Sequence, residues 1–172
     1  MPYTLSIARH RFYAWAACRA AQAGSAKAKR HEMLDALMDS GVVKFLGKIP
    51  DPKPTREELD KLFYEWVERA ITSLKTNHNK MVAFGVAAKL VSVYLKGAYV
   101  LHSKVDSVLA QHIHPPIDSI LLKSIDKANG TRLSKTHKWQ KLDRANYELV
   151  ISTLRNLNGD KPFWHIEKNW QP

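Results

Sequence analysis

The chain has 172 residues, 45% of them hydrophobic and 25% charged, which is enough for one domain with its own core. Lysine and arginine outnumber aspartate and glutamate by 27 to 16, and the net charge of +11 suits phosphate backbones or anionic lipid heads. Cys18 is the only cysteine, which excludes an internal disulfide and any cysteine-based metal site.

Residues 5–23 are alanine-rich, place Phe12, Trp15, Ala16 and Arg19 at helical spacing, and stop at Gly24, a residue suited to the position past a helix end. A second helical segment or pair spans 27–45, with a break at Ser40-Gly41. The run Ile49-Pro50-Asp51-Pro52-Lys53-Pro54 cannot be helical inside and reads as a rigid connection. Thr55 with Glu58 reads as a capping box, opening a helix whose Leu59, Leu62, Phe63, Trp66, Val67, Ala70, Ile71 and Leu74 form one apolar stripe.

Residues 75–80 are polar and read as a loop. A helix over 85–101 follows, and another begins at Pro115-Pro116 and runs to 128. Residues 129–140 are basic and loop-like, and 143–157 form a last helix with Tyr147, Val150, Ile151 and Leu154 on one face. The aromatic tail, Pro162-Phe163-Trp164-His165-Ile166-Glu167-Lys168-Asn169-Trp170, is expected to pack back onto the body. No stretch alternates with period two, and no repeat or second domain is visible. The expected fold is therefore all-α, a compact single-domain helical bundle over 1–172.

No apolar run of signal-peptide length follows Arg9, His10 and Arg11, so a cytoplasmic location is expected. The longest apolar stretch, 82–101, is broken by Lys89 and Lys96 and is not read as a membrane span.

That stretch has its polar exceptions on one line. Gly85, Lys89, Ser92, Lys96 and Tyr99 step by four, three, four and three along a helix. A lysine held between apolar walls can act as a neutral nucleophile, because desolvation disfavours the ammonium form. The plain alternative is a wet helix face with lysine stems lying along it. Further on, His112-Ile113-His114-Pro115-Pro116-Ile117-Asp118 puts Asp118 in or beside a first helical turn, where free amides and the helix dipole favour a carboxylate. Such a carboxylate can stabilise a developing cation or steer a nucleophile's proton, or it can be ordinary helix chemistry. His112 and His114 lack an obvious third ligand nearby, so no metal and no cofactor are expected.

Together, Phe84-Gly85-Val86-Ala87-Ala88-Lys89 and Pro116-Ile117-Asp118 resemble the helix-hairpin-helix DNA glycosylase superfamily. In it a glycine hairpin leads into a helix with a catalytic lysine, and a Pro-x-Asp turn supplies an aspartate that caps the next helix. The archaeal 8-oxoguanine glycosylase type is the most similar subgroup, through its long lysine-to-aspartate interval and a second lysine, here Lys96. The resemblance covers 81–125, where it implies a helix-hairpin-helix-like element. One departure is that the usual paired hairpin glycines are reduced to Gly85 alone.

The resemblance implies a bifunctional glycosylase and abasic-site lyase acting on duplex DNA with a flipped base. Lys89 would be the nucleophile and Asp118 its partner. Lys96, Ser92 and His114 would be accessories, with Lys96 a reserve nucleophile or a phosphate contact. Gly85 would touch the DNA backbone.

Two basic clusters could track phosphates: Lys27, Lys29 and Arg30, and a later one around Arg132, Lys135 and Lys138. Trp15, Tyr94, Trp139 and Trp164 are candidates for base stacking, or else core residues. Two rival functions stand beside this one. Arg132-Leu133-Ser134-Lys135-Thr136-His137 matches the Arg-x4-6-His pattern of HEPN ribonucleases, although Leu133 departs from it and the segment reads as a loop. A non-catalytic, basic helical nucleic-acid-binding protein needs only the charge and the fold. The sequence is silent on oligomeric state.

Overall fold

The axis of the fold is a helix that is apolar almost all round. In the computed structural model this is α5 (Phe84–Ala98), buried along nearly its whole length. Residues 2–22, 28–104 and 107–170 are described, the side chain of residue 169 excepted. Together with the 3-10 turn after it, α5 is long and apolar enough to cross a membrane, but 67% of that segment is buried inside the fold.

The other helices are α1 (Leu5–Gln22), α2 (Arg30–Asp39), α3 (Val42–Gly47), α4 (Arg56–His78), α6 (Val108–His112), α7 (Ser119–Asn129), α8 (Leu133–Thr136) and α9 (Arg144–Asn158), of which α1, α2, α4 and α9 pack directly on α5. Short 3-10 segments follow at Val100–His102, Trp139–Lys141 and Phe163–Asn169. No strand occurs among the described residues, and the buried apolar side chains form one cluster. The fold is the all-α single-core bundle that the absence of period-two patterning implies.

Local signals fix most boundaries. The break at Ser40-Gly41 is real: Gly41 has φ +91°, a left-handed conformation that costs a side-chain-bearing residue dearly. Thr55 and Glu58 form the expected capping box. Its helix runs into the polar segment expected as a loop and continues to His78, where Asn79 closes it with φ +51°. Residues 75–80 are polar because this last turn faces solvent. Helix α7 starts three residues after Pro116, not at the prolines, and Asp118 is its N-cap. α8 falls in the segment read as loop-like and α6 in one for which no element was expected; helices of this length are set by tertiary packing. Gly24 and Lys27 lie outside the described residues.

Two close approaches set how α5 is seated. A Cβ on Gly97 would meet the Tyr13 ring at 2.3 Å, so Gly97 lets α1 lie against α5. A Cβ on Gly85 would meet the Trp139 carbonyl oxygen at 1.9 Å, and the Gly85 amide donates to the Leu142 carbonyl at 3.0 Å. The stretch Trp139–Leu142 is thereby pinned to the first turn of α5.

Candidate active site

Lys89 and Asp118 meet. Lys89 rises from α5, and its Nζ stands 3.3 Å from Asp118 Oδ2, with side-chain exposures of 9% and 13%. The two residues lie 29 positions apart in the chain, and the turn that leads into α7 brings Asp118 to Lys89.

Each group is held from behind. Asp118 Oδ1 accepts the Leu121 amide at 2.8 Å, the N-cap bond that fixes the carboxylate at the head of α7. Its Oδ2 accepts from Lys89 and also from the Trp170 indole N–H at 3.3 Å. The Lys89 ammonium lies 4.4 Å above the Trp139 ring, whose negative face attracts it. Gly85, one helical turn before Lys89, holds Trp139 in that place. The site is therefore an ammonium between an indole face and a capped carboxylate, closed on one side by the C-terminal segment.

The tail does what its composition suggests and also enters the site. Glu167 pairs with Lys96, and the Lys96 ammonium lies 5.6 Å from the Trp170 ring centroid. Burial raises the Glu167 carboxyl, and the Lys96 ammonium works against that rise. Beside this pair opens a cleft of 430 Å³, with Val100, Leu101, Ala110 and Trp164 as its apolar walls. Of the two lysines on the stripe, Lys89 faces Asp118, while Lys96 faces Glu167. Neither Glu167 nor Trp170 was singled out from sequence, because a tail without helical period gives no sign of which α5 residue it will touch.

Several expected site residues lie elsewhere. Ser92 is fully buried on the Tyr147 side of α5. His114 is buried in a structural network: Asp60 Oδ1 is 2.8 Å from its Nε2, and the Tyr147 hydroxyl is 3.4 Å from Nδ1. Arg155 clamps both oxygens of Asp60 at 2.6 Å. Neutral His114 satisfies its neighbours with Nε2–H donating to Asp60 and Nδ1 accepting from Tyr147. Burial lowers its pKa, and both ring nitrogens face Asp60 and Tyr147 rather than the Lys89 site. The Gly85 amide is bonded to Leu142, which leaves it no hydrogen for a phosphate.

Of the stacking candidates, Tyr94 is buried with its hydroxyl 2.7 Å from His10 Nδ1, and Trp139 is the buried floor under Lys89. Neither offers a free face. Trp164 edges the cleft beside Lys96, and Trp15 is exposed on α1. Arg132, Lys135 and Lys138 are all exposed on the segment leading into Trp139, while Lys29 and Arg30 are exposed at the start of α2. Asp126 anchors that first segment by accepting from Thr131, Leu133 and Ser134. Arg132 and His137 flank the single turn of α8 as its two caps and do not share a helix face.

No family model, curated protein or solved structure matches this chain.

Proposed function

We propose that the chain is a DNA glycosylase with lyase activity, removing a damaged or modified base through an imine on Lys89. The observation that carries this reading is the contact between Lys89 and Asp118 at 3.3 Å in a nearly closed site. Three features support it: Asp118 caps the helix after a Pro-x-Asp turn, the stripe sits on the most buried helix, and exposed Arg132, Lys135 and Lys138 border the Trp139 floor.

The chemistry follows from the two groups. The target nucleotide leaves the stack, because its glycosidic bond is unreachable inside the duplex. Asp118 takes a proton from the Lys89 ammonium. The freed electron pair on Nζ bonds the sugar's anomeric carbon while the bond to the base breaks, and the base departs with the electrons of that broken bond and takes up a proton. Loss of the second Nζ proton and opening of the sugar ring leave the imine. Removal of a proton from the adjacent carbon then expels the 3′ phosphate. A conformational step precedes all of this, since Lys89 is 8% exposed and Trp170 covers Asp118.

The test is incubation with duplexes carrying a panel of damaged or modified bases in the presence of borohydride, which reduces the imine to a stable protein–DNA adduct. An adduct that depends on Lys89 is expected. Absence of adduct and of base release across the panel would leave only a cationic binding protein.

A further inference from the structure

Trp15 is surrounded by arginines that no carboxylate answers. On α1, Arg11 and Arg19 lie one turn before and one turn after it, and Arg30 opens α2 beside it. Among the described residues Arg56, Arg69, Arg144 and Arg155 each pair with an acid, whereas Arg11, Arg19 and Arg30, like Arg9 and Arg132, have no such pair. Arg11 stands 5.4 Å from the Tyr3 ring centroid instead.

The acids nearby are engaged elsewhere. α1 contains no aspartate or glutamate. On α2, Glu32 accepts the Lys29 amide, Asp35 pairs with His78, and Asp39 accepts from Ser73 and Asn77. Between the two helices lies a groove of 510 Å³, floored by Cys18, Leu34 and Met38, walled by Trp15, and rimmed by Arg11 and Arg30. Trp15 is 46% exposed.

Charge and shape select the occupant. A second copy would bring the same arginines face to face and is repelled. A lipid surface favours a continuous apolar stripe, which Arg11 and Arg19 interrupt. An indole wall with guanidinium groups on both sides fits a flat ring joined to phosphates. Arginine also binds phosphate in a planar fork and stacks on rings, as lysine does not.

We infer that the α1–α2 groove binds single-stranded nucleic acid, with one unstacked base on Trp15 and flanking phosphates on Arg11, Arg19 and Arg30. The groove lies on a different side of α5 from Lys89, because α1 packs there through Tyr13 on Gly97 and His10 on Tyr94. It stands independently of the glycosylase reading.

The experiment is an anisotropy titration of the whole chain with fluorescein-labelled oligo(dT), with an abasic strand of the same length, polyglutamate and phosphatidylserine vesicles as comparison probes. Oligo(dT) is expected to bind more tightly than the abasic strand. Trp15→Ala is expected to weaken oligo(dT) roughly tenfold, as loss of one base–aromatic stack does, and Trp15→Phe to restore most of it. Arg11→Ala with Arg30→Ala is expected to flatten the log–log salt dependence by about 1.4, from two lost phosphate contacts. Unchanged oligo(dT) affinity in Trp15→Ala, with an unaltered circular dichroism spectrum, would overturn the proposal. So would tighter, Trp15-dependent binding of vesicles or polyglutamate.

Discussion

The ammonium of Lys89 rests 4.4 Å above the ring of Trp139, and Trp139 can be there only because residue 85 has no side chain. The floor under the proposed nucleophile is thus set by a glycine one turn earlier on the same helix.

Gly85→Ala should therefore act on both stability and chemistry. Its methyl group would lie 1.9 Å from the Trp139 carbonyl oxygen, a backbone atom that cannot rotate away. Overpacking of this kind costs about 1–3 kcal/mol. Urea denaturation should show that loss, and the folded fraction should give less borohydride adduct than the parent at equal concentration.

The two members of the central pair should separate in their kinetics. Lys89→Gln removes the nucleophile and is expected to abolish the adduct. Asp118→Asn keeps the N-cap, since asparagine also caps well, but loses the proton acceptor; base release in single turnover should slow by about 100-fold or more. Full activity in both variants would remove the proposed mechanism.

Stability should distinguish the two roles of Asp118. Asp118→Ala loses both the cap, worth about 0.5–2 kcal/mol, and the partner of a nearly buried ammonium, a loss of about 3–5 kcal/mol in buried pairs. Asp118→Asn keeps the first. The alanine variant should therefore have the lower urea midpoint of the two.

Duplex binding by the segment before Trp139 should follow salt. Arg132→Ala, Lys135→Ala and Lys138→Ala are each expected to reduce the slope of log affinity against log salt by about 0.9 on duplex DNA. An unchanged slope in all three would place the duplex elsewhere.

Acid should weaken the fold through His114. Burial lowers its pKa from the ordinary value of 6.5, so below that value the unfolded chain takes up a proton that the folded chain refuses. Stability is thus fully present above the unfolded value and falls as pH drops from there toward the folded value. His112 shifts in the same direction, and the Asp60 carboxylate, held well below its usual range by His114 and Arg155, extends the loss at lower pH. Urea midpoints between pH 8 and pH 5 should decline, and His114→Gln should flatten the decline.

Much of this architecture was legible because it is local. Thr55 with Glu58, Gly41 and the stripe from Leu59 to Leu74 act within one or two turns, and the structure keeps all of them. Lys89 and Asp118 were legible as motif residues in separate segments. What escaped was long-range. His114 reads the same in sequence whether it serves a site or a core, and only Asp60 and Arg155, from two other helices, decide. Trp139 and Tyr94 read either as stacking faces or as core residues, and the packing of α5 and α1 makes them core. Glu167 and Trp170 reach the stripe from a 3-10 segment whose direction depends on the finished body.

The divided use of one carboxylate makes a backbone proton into a gauge. Asp118 holds the Leu121 amide with one oxygen while the other faces Lys89. Any event that alters the charge on that group, whether protonation or an arriving cationic sugar, changes the acceptor strength felt by Leu121. The nitrogen–proton resonance of that single residue should register occupancy of the proposed catalytic centre without a label on the substrate.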